Sequence, residues 1–261
     1  MEQIMSPRPK RELGRERSTT IAQIKAVARQ QMAEYGTAGL SLRGIGRAMG
    51  ITAPAIYNYF PRLDDLITAL IVDAFNALAD AMEAAEAAEA SERPYDKIMA
   101  LCLAYREWAM ADPTVFQLIY GNPIPGYHAP EELTIPLARR PFLGLFRWFI
   151  RAHQAGELTI PAEYQSVPPV MAEGIAVWRR ATGIEMPEAL LGLLMSGWAR
   201  IHGAVMLELF GHLEPLVGAG GFFYRYELEA FGQRLELGGR PDRAVRASEL
   251  VAAESHGGEA L

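Results

Sequence analysis

The chain has 261 residues, half of them hydrophobic, with a net charge of −6 and a pI near 5.5. That composition excludes a wholly disordered chain, and at roughly 100–200 residues per domain the length favours two domains. The average acidity argues against a polyanion partner, but the charge is uneven: residues 1–62 carry +6 and the remainder −12, the pattern of a small basic module joined to a larger acidic one. Cys102 is the single cysteine, which excludes an intramolecular disulfide and a cysteine-based zinc site and fits a reducing, cytoplasmic setting. The charged opening residues lack the apolar core of a secretory signal. The most apolar stretch, around Leu190–Phe210, is broken by Arg200, His202 and Glu208, so no membrane span is expected.

In chain order, residues 1–18 are polar, basic and proline-containing and read as a flexible arm. From Thr20, Ile21, Ile24, Ala28 and Met32 form a one-sided apolar stripe, capped by Thr20 and ended by Gly36. A short helix is expected over 41–49, with Ser41 as its cap and Leu42, Ile45 and Ala48 facing inward. Gly50 breaks it. Thr52 then caps another short helix, with Pro54 in the first turn, where a missing N–H costs nothing. Long helices follow: 64–90 with Leu66, Leu70, Phe75 and Leu78 inward, then a helix ending near Ala111, and a short one to Tyr120. GNPIPGYHAPEE reads as loop. Further helices are expected at 136–156, 168–182, 187–213 and 220–237, with 238–261 a flexible tail. Nothing alternates as strands do, so the fold class expected is all-α.

A helix, a short helix, a glycine turn and a second short helix within about 45 residues make a helix-turn-helix arrangement. The stretch SLRGIGRAMGITAPAIYNYFPRLDDL resembles the DNA-binding signature of the TetR family of transcriptional regulators. The likeness rests on Gly50, the small first turn after Thr52, the Tyr57-x-Tyr59-Phe60 ending and Asp65-Leu66. It departs at Leu63, where the family usually has a phosphate-contacting lysine, and at Gly46, usually alanine; Arg62 is the candidate replacement for the lysine. The resemblance implies a head over 19–65 that binds a double-stranded DNA operator, followed over 66–237 by a larger helical body for ligand binding and dimerisation.

Groove chemistry then assigns roles. Thr52 suits a phosphate or a base edge, Ala53 and Ala55 a thymine methyl, Asn58 an adenine, and Arg43 a guanine or phosphate. Tyr57 and Tyr59 either present hydroxyls to the backbone or fill the core. Thr20, at the expected start of the first helix, would bring open amides to a phosphate. Arg8, Lys10, Arg11, Arg15 and Arg17 of the arm either track the DNA or merely solubilise the chain.

In the body, Trp198-Ala-Arg-Ile-His202-Gly203 resembles the C-terminal domain type of the family named for its Trp-His-Gly motif. Small residues such as Gly203 allow close helix crossing. Leu191, Trp198, Val205 and Leu209, with Phe223 and Phe231 of the last helix, form a candidate seam for a homodimer; the alternative is that they are monomer core. The aromatics Tyr105, Trp108, Phe116, Tyr120, Phe146, Phe149 and Trp178, with His202, are candidates to line a site for a small, largely apolar effector, against a reading of ordinary core. No phosphate loop, nucleophile elbow or metal motif occurs, and Glu208 and His212 lack a third ligand, so neither an enzyme nor a cofactor is expected. The expected function is a ligand-responsive regulator, most simply a repressor; a dimeric regulator without ligand, or an activator, is the alternative.

Overall fold

A computed structural model of the chain describes residues 10–218 and 220–237, and among them every regular element is helical. The helices are α1 (Lys10–Tyr35), α2 (Leu42–Ala48), α3 (Ala53–Tyr57), α4 (Leu63–Ala88), α5 (Pro94–Ala111), α6 (Pro113–Tyr120), α7 (Glu131–Arg139), α8 (Leu143–Gln154), α9 (Pro169–Thr182), α10 (Glu188–Leu209), α11 (Glu214–Val217) and α12 (Phe222–Arg234). The chain forms two compact units, residues up to Glu83 with Tyr105–Phe142, and Ala84–Ala104 with the residues from Leu143 on.

Three local expectations are corrected. Residues 10–18 are helical, not a flexible arm: α1 begins at Lys10, about ten residues before the apolar stripe that marked it in the sequence. The expectation for residues 1–9, and for the tail 238–261, lies outside the described residues. The segment 131–139 is a helix, not the end of a loop, and Pro136 sits inside it rather than at the start of the next helix. Glu131 and Glu132 in its first turn favour the positive end of the helix dipole. Finally, α2 turns Gly46 inward and leaves Ala48 exposed, so its buried face is Leu42, Ile45 and Gly46.

The first unit has one core. Ile24, Ala28 and Met32 of α1, Leu42 and Ile45 of α2, and Ile56 of α3 pack with Leu66, Ile67, Leu70 and Phe75 of α4 and Leu118 of α6. The short α2 and α3 are too brief to stand alone and are held by that core. After α7, Arg140 donates to Asn76, Asp80 and Glu83, fixing the turn at 140–142 along α4. In the second unit α10 lies against α12. A Cβ on Gly197 would stand 3.0 Å from Phe231 Cε1, so a larger residue there would push the ring aside by a few tenths of an ångström. Helix α10 is long and apolar enough to cross a membrane by length and composition, its Arg200, His202 and Glu208 notwithstanding; here Leu190, Leu193, Ile201 and Val205 are buried in the chain's own core.

Candidate nucleic-acid interface

The helix pair α2–α3 is set by local chemistry. The Ser41 hydroxyl accepts the Gly44 N–H at 3.3 Å, which caps α2. Gly50 takes φ +68°, a left-handed conformation that a side chain would strain, and the Ile51 N–H then donates to Gly46 O at 3.0 Å. The chain enters α3 through Thr52 in extended conformation, with no side-chain capping bond, and Pro54 stands in the first turn. Ile56 is fully buried and Phe60 nearly so, so these two anchor the helix. Thr52, Ala53, Tyr57 and Asn58 are left exposed, with Ala55 and Tyr59 half-buried. Arg43 and Arg47 stand exposed on α2. A short helix pinned by Ile56 and Phe60 thus offers a hydroxyl, two small apolar residues, a phenol and an amide beside two cations.

Two expected contacts have different surroundings. Thr20 does not start a helix: it lies well inside α1 and its hydroxyl donates to Glu16 O at 2.9 Å, so the open amides assigned to it do not exist there. Arg62 lies next to α4, but its guanidinium donates to Asp65 Oδ1 at 2.8 Å and its backbone N–H to Asp65 Oδ2 at 3.0 Å. The hydrogen bond from Arg62 holds the Asp65 carboxyl below its usual range. A phosphate reaching Arg62 competes with Asp65. Leu63 is half-buried beside the head core. Arg17, noted in the sequence only as one cation of an arm, belongs to α1 and donates from Nη2 to Asn58 O at 3.1 Å. The basic charge of its segment was the only signal for it.

The candidate ligand residues fall into two groups. Within the first unit, Tyr105, Trp108, Phe116 and Tyr120 form one aromatic network: Phe116 lies 5.2 Å from Tyr120 and 6.1 Å from Tyr105 between ring centroids, and Trp108 lies 6.3 Å from Phe116. Tyr105 and Phe116 are fully buried, and burial pushes the Tyr120 phenol well up from its ordinary value. Within the second unit, Phe146 meets Trp178 edge to face at 5.6 Å, Phe149 is buried, and His202 stacks on Trp198 at 5.0 Å. Burial holds the His202 imidazole below its ordinary value, so it is neutral near pH 7. An open groove of about 410 Å³ in this unit is lined by Leu143, Phe146, Ile150 and Ile184 with Arg147 and Arg151 along it. Apart from Phe146, these residues carried no signal in the sequence.

The candidate dimer residues also divide. Leu191 and Val205 are 4% and 0% exposed within the single chain, so their side chains are core and not a face open to a second copy. Phe231 packs on Gly197 of its own chain. Trp198, Gly203, Leu209 and Phe223 are half-buried, and a Cβ on Gly203 would meet nothing within 4 Å. The exposed apolar side chains there are Met195, Leu207 and Phe210 of the α10 segment and Phe222 and Tyr226 of α12; of these only Phe222 stood among the apolar residues of the last helix that the sequence offered for pairing. Among the described residues no three His, Cys, Asp or Glu side chains cluster to hold a metal.

Residues 24–70 match the family described as "Bacterial regulatory proteins, tetR family", and residues 98–231 match "Tetracyclin repressor-like, C-terminal domain". The HTH-type transcriptional regulators Rv1816 of Mycobacterium tuberculosis and Mb1846 of Mycobacterium bovis are each 33% identical over 190 residues, covering 73% of this chain and 80% of theirs. The crystal structure of the protein SCO4313 is 31% identical with a TM-score of 0.67, covering 87% of this chain and 98% of that one. A protein of unknown function from Rhodococcus sp. RHA1, 22% identical with a TM-score of 0.63 and covering 90% of this chain and 100% of its own, shares the fold.

Proposed function

This chain belongs to the TetR family of DNA-binding transcriptional regulators, which are not enzymes, and from that premise we propose that it is a repressor that binds a palindromic operator as a homodimer and is released by a small, largely apolar effector. The observation that carries the reading is the exposed set Thr52, Ala53, Tyr57 and Asn58 over buried Ile56, with Arg43 beside it, in a segment of charge +6. Residues 19–65 serve as the DNA-binding part and 66–237 as the sensing and pairing part. Two copies place their α3 helices in successive major grooves, roughly 34–36 Å apart. Asn58 reads adenine, Ala53 and Ala55 meet thymine methyls, Arg43 takes guanine or phosphate, and Tyr57 steadies the backbone. Helix α4 is the lever. Its first turns lie in the head core and its last turns belong to the second unit, so an effector that binds the DNA-incompetent state better shifts the population through it.

The test is a gel shift on the DNA flanking the protein's own gene, with and without candidate apolar ligands. Arg43→Ala and Tyr57→Ala should each weaken specific binding by about 1–3 kcal/mol. Weak, sequence-indifferent binding that neither substitution changes would overturn the regulator reading. The close packing of Tyr105, Phe116 and Tyr120 favours one second reading, a dimeric regulator with no small-molecule effector. A ligand library that never shifts the melting temperature or the DNA complex would select it.

A further inference from the structure

We propose that Arg17 is the positioning residue of the recognition helix, a role that rests on the DNA-binding reading above. Helix α3 has five residues, and its Ala55 and Ile56 carbonyls accept from the N–H groups of Asn58, Tyr59 and Phe60 just beyond it. The carbonyl of Asn58, the residue that follows α3, accepts from Arg17 Nη2 at 3.1 Å across 41 residues of sequence. The same guanidinium stands 5.1 Å from the centroid of the Tyr59 ring. One planar cation thus holds the two consecutive residues that follow α3, by a hydrogen bond and by a ring face. Arg17 reaches this place only because α1 begins at Lys10; a helix starting at Thr20 would leave it in an unstructured arm. The Asn58 side chain, free of that backbone bond, projects from a fixed carbonyl, and Tyr57 precedes it. Arg17 sets the angle at which both meet a base edge without itself reading the sequence.

The competing role is a plain phosphate contact, and the two separate by charge-conserving substitution. Arg17→Lys keeps the charge but loses the fork and the flat face. For a positioning role, Arg17→Lys and Arg17→Ala both lower the ratio of affinities for the flanking-gene DNA and a scrambled duplex about five- to tenfold. Arg17→Lys leaves the salt slope of binding at the wild-type value. In a Tyr59→Leu background the Arg17→Lys effect should shrink, because both substitutions break one clamp. A readout without DNA accompanies these: amide exchange at Tyr59 and Phe60, whose N–H groups donate to Ile56 O at 3.0 Å, should speed up in Arg17→Lys while the melting temperature holds. Full rescue by lysine, with only alanine impaired and the salt slope lowered by about one, would overturn the proposal in favour of a phosphate contact. Unchanged amide exchange in Arg17→Lys would overturn it on the free protein. If the wild-type protein itself fails to discriminate the two duplexes, the regulator reading falls and this inference with it, whereas discrimination by wild type and Arg17→Lys alike sinks the inference alone.

Discussion

At Gly46 the chain carries a glycine on the buried side of a helix, where the family usually has alanine. A Cβ there would lie 3.5 Å from Ile51 O and 3.6 Å from Ile56 Cγ2, which is ordinary contact. Helical geometry without strain and a lower unfolded-state entropy predict that Gly46→Ala stabilises the protein by about 0.5–1 kcal/mol, measured by urea denaturation. A loss of stability would mean that α2 and α3 approach more closely than this geometry gives. Thr20 teaches the opposite caution. Threonine before an apolar stripe is a fair cap signal, but here its hydroxyl bonds back to Glu16 O and the helix runs on toward the N-terminus.

At the scale of elements, the C-terminal end of α4 is held by groups that no motif announced. Lys97 is 6% exposed and donates from Nζ to Glu86 O at 2.9 Å and to Glu89 O at 2.7 Å, closing carbonyls that the helix leaves open. The Glu86 carboxylate accepts Trp148 Nε1–H at 2.6 Å and pairs with Arg147. Lys97→Met strips the cation from both carbonyls and should cost about 2–4 kcal/mol in chemical denaturation. Burial pushes the Glu86 carboxyl up, but the bonds from Arg147 and Trp148 outweigh it and hold the group below its ordinary value. A depressed folded-state value gives stability that is present above the unfolded-state pKa of about 4.3 and lost as the pH falls through the lower folded-state value. Glu86→Gln should therefore flatten the acid limb of the stability profile there, and an unchanged limb would remove Glu86 from its causes.

For the whole molecule, the exposed apolar side chains of α10 and α12 predict pairing. Leu207 and Phe222 are 43% and 70% exposed although both belong to helices with buried inner faces. Light scattering at micromolar concentration should give twice the 28.7 kDa chain mass. Leu207→Glu should return it to the single-chain mass, because a carboxylate in a dry seam has no partner. A monomeric wild type would count against the homodimer. The net charge, read as an average, concealed the basic segment, which carries +6 over residues 1–62 against −12 over the rest.

The all-α class, the helix-turn-helix and the exposed residues of α3 were legible in the chain because each rests on local chemistry. Ser41, Gly50 and Pro54 act within a few residues of themselves, and the apolar stripes of α1 and α4 repeat at the helical period. Where α1 starts was not legible, since Lys10–Thr19 has the composition to be helical but no apolar face to mark it. The division of the aromatics between two units, the burial of Leu191 and Val205 and the grip of Arg17 on Asn58 are decided by partners tens of residues apart. Periodicity assigns a residue to a face of its helix. Only packing assigns that face a neighbour, and for this protein the neighbour separates the buried Leu191 from the exposed Leu207 and ties Arg17 to the residue after α3.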